Sequence, residues 1–204
     1  MIAYASRTGT KRNLKALRDD GWHLLVSAKG CLRNEGFPYA LDNGAWTAFQ
    51  QGHAFDVEAF EVAVKKMGRD AEWVVAPDIV SGGMASHAMS SSWVPRLLNE
   101  TQRVLFAVQD GFTREHVAHL LGPRVGLFVG GSTEFKLSTM GMWAALAREF
   151  GAWCHVGRVN SARRIQRCAS CGVDSFDGTS ASKFSVTIKR LTNARNQSAM
   201  LLGE

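Results

Sequence analysis

The sequence predicts an α/β fold in the form of a compact (β/α)8 barrel, a TIM-like barrel. The chain has 204 residues, of which 46% are hydrophobic, enough for one globular domain with a sizeable core. Eight short apolar runs recur along it, and they are continuous rather than alternating, which is typical of parallel strands covered on both faces. Helical patterns separate most of these runs. An open doubly wound sheet is the alternative that the same order allows.

The predicted strands have the length of barrel strands and are bounded by turn residues. They occupy residues 2–6, 23–28, 39–42, 73–78, 104–109, 126–131, 153–157 and 174–177. We expect one barrel domain over residues 1–190, followed by a C-terminal tail over residues 191–204.

The segments between the strands carry helical periodicity and capping residues. Residues 57–67 and 143–150 each present an apolar stripe that ends at a glycine. Thr113 is a typical N-cap, and either Asn160 or Ser161 caps a basic helix further on. The segment after the second strand is too short for a full helix, so we expect that helix to be degenerate.

The charge balance indicates an anionic partner. The net charge of +6 makes nucleic acid a candidate, although a merely basic surface explains the total equally well. No stretch reaches the ~18 uninterrupted apolar residues of a membrane span. The N-terminus lacks the order of a secretory signal, since its basic residues follow the apolar ones. We therefore expect a cytoplasmic protein without a membrane partner.

The cysteines do not predict a metal site. Cys168 and Cys171 form a single C-x-x-C, whereas zinc ribbons need two such pairs. The two residues also stand at i and i+3 of a helical pattern, so packing explains them better than metal binding. We expect reduced cysteines and no metal ion.

Polar residues stand where most of the predicted strands end. They are Asp42, Asp78, Gln109, Gly130, Gly131, Arg158 and Asp177. Catalytic groups of barrel enzymes lie at the carboxyl ends of the strands. A single Asp there could be the cap of the next helix, but caps do not explain the glutamine or the paired glycines. Together these residues predict a ligand pocket at one rim of the barrel.

The residue types in this pocket suit chemistry at a nucleobase–sugar bond. Two carboxylates can divide the roles of nucleophile and general acid/base at a glycosidic carbon. A third carboxylate beside an amide can read the donor and acceptor edge of a purine. Trp46 either stacks on a flat base or belongs to the core.

Six motifs then occur in an order that is itself informative. They are LDNGAWTAF, VVAPD, FAVQDG, FVGGSTE, HVGRVNSARRI and GVDSFDGT, within residues 40 to 184. In this set and order the chain resembles the tRNA-guanine transglycosylase family, and more specifically its relatives that exchange guanine for a 7-deazaguanine base in DNA. Asn43, Ala45 and Trp46 depart from the family's Ser, Gly and Phe.

The resemblance implies roles for the pocket residues. Asp177 would be the nucleophile that attacks C1′ and forms a covalent enzyme–nucleic acid intermediate, and Asp42 the general acid/base. Asp78 and Gln109 would recognise the base edge. Backbone groups of the double glycine, Gly130 and Gly131, would contact the base.

The resemblance also implies partners. Trp46 would stack on the base, Lys183 would hold a phosphate, and Arg158, Arg163 and Arg164 would contact the nucleic acid backbone. The family's zinc subdomain is expected to be absent, because no Cys or His follows Asp177. This favours DNA over RNA as the partner, with a 7-deazaguanine base as co-substrate and no cofactor. An accessory protein that completes DNA binding stays an open alternative.

Three other functions fit the same residues. A base-removing glycosylase would use the same two carboxylates with water in place of the incoming base. An orthodox tRNA enzyme would share the pocket but is disfavoured by the missing zinc segment. A non-catalytic nucleic-acid-binding barrel would have little reason to keep both Asp42 and Asp177.

Overall fold

The strands close into a barrel. In the computed structural model, which describes residues 1–6, 10–183 and 185–202, eight parallel strands follow one another in sequence order, and β1 pairs with both β2 and β8. The strands are β1 Ile2–Ser6, β2 His23–Ser27, β3 Tyr39–Asp42, β4 Val74–Val75, β5 Val104–Val108, β6 Val125–Val129, β7 Cys154–Val156 and β8 Ser175–Gly178. The closed parallel barrel is confirmed, and the open sheet is excluded.

Helices follow most strands and cover the outside of the barrel. They are α1 Lys11–Asp19, α2 Ala45–Gln50, α3 Val57–Ala63, α4 Met84–Glu100, α5 Arg114–Val117, α6 Thr133–Glu149, α7 Ala162–Ser170, α8 Ser180–Lys183 and α9 Ser185–Leu202. A π-helical turn, Val64–Gly68, continues α3, and a 3-10 turn, Ala118–Leu120, continues α5. Residues 28–38, between β2 and β3, contain turns but no helix, as the short gap predicts.

Two hydrophobic cores lie on the two faces of the sheet. The inward-facing core fills the barrel and contains Tyr4, Leu25, Ala40, Trp73, Val75, Leu105 and Ala107. The larger core packs the outer faces of the strands against the helices. Because both faces are buried, the strands read as continuous apolar runs, which is the signal that predicts them.

Strand β4 is shorter than predicted. It covers only Val74–Val75 instead of residues 73–78. The ladder continues for one more bond, from the Ala76 N–H to the Leu105 carbonyl at 2.9 Å. Pro77 comes next and has no N–H to donate, so the chain leaves the sheet there and Asp78 lies in the loop.

Capping side chains begin two of the helices that flank the rim. Ser161 caps α7, and its hydroxyl accepts from the Arg164 N–H. Asn160, the other predicted cap, instead accepts from the Ser180 N–H at 3.1 Å and ties this loop to α8. Ser132 caps α6 in the same way as Ser161 caps α7.

Residues 191–202 form the second half of α9, which packs on the barrel with Leu191 and Ala194 buried. The buried Thr192 hydroxyl accepts the Trp22 indole N–H at 2.8 Å, which joins the two ends of the sequence. An indole N–H buried beneath a helix needs such a partner, and this bond holds α9 against the barrel.

No helix in the described ranges is both long enough and apolar enough to cross a membrane.

The Trp22–Thr192 bond predicts a stability difference between two substitutions on α9. Thr192→Val keeps the side-chain shape but leaves the indole N–H without its partner, so the free energy of unfolding should fall by about 1–3 kcal/mol. Asn193→Ala, at an exposed position on the same helix, should change it by less than about 0.5 kcal/mol. Urea denaturation measures both. Equal stability of the two variants would show that α9 does not depend on this bond.

Candidate active site

The carboxyl ends of the strands bring the predicted acids together. Asp42 ends β3, Asp78 lies in the loop after β4, and Asp177 lies in β8. The negative charges of Asp177 and Asp78 both act on Asp42, so the three carboxylates share one rim. Gln109, directly after β5, is buried at the same end of the barrel. This is the rim where barrel enzymes carry their catalytic groups.

Asp42 is set apart by its electrostatic environment. Burial raises its pKa to about 7, and repulsion from the other two carboxylates acts in the same direction. The Gly44 N–H donates to its Oδ2 at 3.2 Å and only partly offsets this rise. A carboxyl group with a pKa near neutrality can both release and accept a proton, as a general acid/base must.

Asp78 is held by Asn43, a residue that the sequence analysis noted only as a departure from the family. The Asn43 amide donates to Asp78 Oδ1 at 2.8 Å and to the Ala76 carbonyl at 2.7 Å. Its own oxygen accepts from the Ala45 N–H at 2.9 Å. Burial raises the pKa of Asp78, and the bond from Asn43 opposes that rise. Asn43 thus links the ends of β3 and β4.

Gln109 supports the loop that carries Asp78. Its side chain is 4% exposed, and Nε2 donates to the Ile79 carbonyl at 2.9 Å. An amide nitrogen carries two N–H groups and the amide oxygen accepts, so donor and acceptor capacity remains for a ligand.

The double glycine forms a tight turn after β6. Gly131 has φ +74°, and a Cβ there would collide with the carboxylate of Asp110. That carboxylate accepts from the Ser132 N–H at 2.7 Å and from its hydroxyl at 2.6 Å. Gly130 donates to the Val108 carbonyl at 2.8 Å. The turn is therefore fixed, and it requires glycine at position 131.

Asp177 is held through one of its two oxygens. The side chain is buried, and Oδ2 accepts from the Arg158 backbone N–H at 3.2 Å and lies 3.1 Å from His155 Nε2. Among the described residues, no donor is hydrogen-bonded to the other oxygen, Oδ1. The carboxylate is therefore oriented through Oδ2.

His155 is a site residue that the sequence analysis missed. It stands in β7, is fully buried, and faces the barrel interior, where it stacks on Phe128 with ring centroids 4.9 Å apart. The alternation of side chains along a strand could have indicated this position. His155 lies two residues before Gly157, so the two residues face the same side of the sheet, which is the barrel interior. An apolar run predicts a strand, but it gives no indication that a histidine within the run has a role at the site.

Trp46 lies at the mouth of the barrel rather than in the core. Its side chain is 37% exposed, and the Arg158 guanidinium lies 4.0 Å from the ring centroid. The same guanidinium donates to the Gly131 carbonyl. Arg158 itself has φ +59°, an uncommon backbone conformation for a side-chain-bearing residue that tends to occur at functional sites. Arg158 therefore bridges three parts of the rim.

The other basic residues predicted to contact nucleic acid differ in their exposure to solvent. Arg163 is exposed on α7, whereas Arg164 is half-buried. The side chain of Lys183 lies outside the described residues. Lys136 is an additional cation near the site: it is 5% exposed and donates to the Gly157 carbonyl at 2.7 Å. Burial, together with the nearby charge of Arg158, lowers the pKa of Lys136 to about 8.

Cys168 lies in α7, and Cys171 is the C-cap residue that follows this helix. Cys168 is buried, and Cys171 is half-buried. Burial raises the pKa of the Cys168 thiol to about 12, which disfavours the thiolate that a metal needs. Within the described ranges, no three or more His, Cys, Asp or Glu side chains are grouped to hold a metal ion.

The pKa of Asp42 is open to direct measurement. In the protein labelled with ¹³C at Asp carboxyl groups, the Asp42 signal, assigned by its loss in Asp42→Asn, should titrate at about pH 7. Asp78→Asn should lower this pKa, because it removes a neighbouring negative charge and keeps an acceptor for Asn43. A titration of Asp42 near pH 4 in the unsubstituted protein would contradict the burial argument.

Comparison with known proteins adds no relative from which to transfer a role. No protein-family model and no curated protein matches this chain. The contacts of the rim are therefore the basis for inferring its function.

Proposed function

We propose that this protein is a base-exchange transglycosylase that replaces guanine in DNA with a 7-deazaguanine derivative through a covalent aspartyl–nucleotide intermediate. The observation that carries the proposal is the contrast between two carboxylates at one rim. Asp177 is anchored through Oδ2, whereas Asp42 has its pKa raised to about 7. Retaining glycosyl transfer needs such a pair, one group as nucleophile and one as acid/base.

In the proposed first step, Asp177 Oδ1 attacks C1′ of the target nucleotide. The Oδ1–C1′ bond forms while the C1′–N9 bond breaks, and the electron pair leaves with guanine. Asp42, protonated at the start, gives its proton to the departing base and becomes a carboxylate. Its pKa near neutrality makes both states accessible at physiological pH.

The second step reverses the first with a different base. Asp42 takes the proton from N9–H of the incoming 7-deazaguanine, and N9 attacks C1′. The C1′–Oδ1 bond breaks, and Asp177 returns to its carboxylate form. Two displacements at the same carbon retain the configuration of the sugar.

The base would be read by groups that surround Asp42. Asp78 can accept the N–H groups of the guanine edge, and Gln109 can donate to the guanine carbonyl with its second amide N–H. Stacking on Trp46 requires Arg158 to leave the ring it covers. Arg158 would then be free to contact a phosphate beside the base.

The surroundings of the rim support a polynucleotide substrate, with DNA preferred over tRNA. The net charge is +6, and Arg163 and Arg164 lie on the helix that follows β7. A base stacked in a duplex cannot reach a barrel rim, so the target must be flipped out or single-stranded.

The decisive experiment offers the protein labelled single-stranded DNA, double-stranded DNA and tRNA, each with a 7-deazaguanine base. A covalent band on a denaturing gel and exchange of the base are expected on DNA. Asp177→Asn, which is nearly isosteric, should abolish the band. Asp70→Asn, an exposed acid before β4 at the opposite end of the barrel, is the matched control and should retain exchange.

The pH dependence of covalent-band formation tests Asp42 separately. Its protonated form is required in the first step, so the rate should fall as pH rises through about 7. Asp42→Asn should lower the rate by about 10²–10⁴-fold.

Other products would redirect the assignment. Abasic sites without exchange would indicate a glycosylase, and reaction on tRNA alone would replace DNA as the substrate. Tight DNA binding that is unchanged in Asp177→Asn, without any reaction, would indicate a binding module.

A further inference from the structure

The ring of His155 is fixed inside the barrel by aromatic neighbours. Besides stacking on Phe128, it lies 4.6 Å from Trp73 and 5.7 Å from Tyr4 between ring centroids. These contacts hold the plane of the imidazole, so each ring nitrogen faces a single direction. The two proposed reaction steps need no proton from this side chain and no bond to it.

The hydrogen bonds at His155 determine which nitrogen carries the proton. The Trp153 indole can only donate, and its N–H reaches Ser175 Oγ at 2.8 Å. Ser175 Oγ lies 2.8 Å from His155 Nδ1, and Nε2 lies 3.1 Å from Asp177 Oδ2. A carboxylate can only accept, so Nε2 carries the proton, Nδ1 accepts, and the serine hydroxyl donates to Nδ1. Every member of this buried chain is then satisfied.

The charges around His155 keep the ring neutral. Burial lowers its pKa, and the cation of Lys136 on α6 acts in the same direction. Asp177 on β8 opposes the shift. Tyr4 on β1 also faces the ring, and burial raises its pKa far above the physiological range, so it carries no charge. A neutral imidazole with its proton on Nε2 is a fixed hydrogen-bond donor.

From this chain of contacts we infer that His155 is a positioning residue for the nucleophile. It anchors Asp177 through Oδ2, so that Oδ1 is the oxygen that faces C1′. The Arg158 backbone N–H reaches the same Oδ2, so two donors hold the carboxylate from one side. His155 keeps its proton throughout, because the bond to C1′ forms at the other oxygen. The inference rests on the proposed function and adds a residue to its machinery.

Two substitutions of similar size separate positioning from packing. His155→Gln retains an amide N–H that can reach Asp177, whereas His155→Leu fills the space without a donor. Under single-turnover conditions with DNA, the rate of covalent-intermediate formation should fall about 10²-fold or more in the Leu variant. The Gln variant should stay within about tenfold of the unsubstituted protein. Substrate Kd should be unchanged in both variants.

Ser175→Ala provides a variant with a smaller risk to folding. It removes the hydroxyl that donates to Nδ1 but leaves the ring in place, together with the Asp177 carboxylate that accepts from Nε2. In ¹⁵N spectra of the unliganded protein, His155 should show the Nε2–H tautomer both in the unsubstituted protein and in Ser175→Ala, because Asp177 accepts from Nε2 in both. This readout needs neither DNA nor catalysis.

The outcomes distinguish two kinds of failure. If the unsubstituted protein forms no covalent intermediate on any nucleic acid, the proposed function fails, and the inference falls with it. If the protein reacts but the Gln and Leu variants are equally slow, or if the spectrum shows Nδ1–H, the inference alone is wrong. Rescue by Gln together with the Nε2–H signal supports it.

Discussion

Closure of the barrel between β1 and β8 is the constraint on which the site depends. Pairing of Ile2 with Ser175 and of Tyr4 with Asp177 joins the first strand to the last. Without that seam, β8 would be an edge strand, and Asp177 would not face the acids carried by β3 and β4. Closure also seals the interior, which favours hydrogen bonds between inward polar groups. The series of hydrogen bonds from Trp153 through Ser175 and His155 to Asp177 is one example.

The strands and the acids of the site were predictable because their signals are local. Continuous apolar runs identified all eight strands, and an acid directly after such a run identified Asp42 and Asp78. Strand β4 ends before Pro77. The proline is visible in the sequence and indicates a strand end, but the apolar run around it indicates that the strand continues. The packing of α9 on the barrel could not be predicted, because Trp22, the residue bonded to Thr192 of α9, lies 170 residues away in the sequence.

The hydrogen bonds of His155 could not be predicted either, because they too join residues that are far apart in the sequence. Its partners Ser175 and Asp177 are 20 and 22 residues away and meet it only through the register of β7 with β8. Burial within the barrel then lowers the pKa of His155 and raises that of Asp42. One apolar environment thus shifts the pKa values of an acid and a base in opposite directions, and in each case it favours the neutral form.

The stack of Arg158 on Trp46 bears on how the proposed site would distinguish a free base from a nucleic acid strand. A base that stacks on the face of Trp46 covered by Arg158 must displace the guanidinium, at a cost of about 0.5–2 kcal/mol. A free base offers Arg158 nothing in return. A polynucleotide carries phosphates, and the displaced Arg158 guanidinium can bind one of them. This interaction would replace the favourable free energy lost with the Trp46 contact. Breaking the Arg158–Trp46 contact would therefore weaken the binding of free nucleobases more than the binding of anionic polymers, because only the polymers compensate for the lost contact.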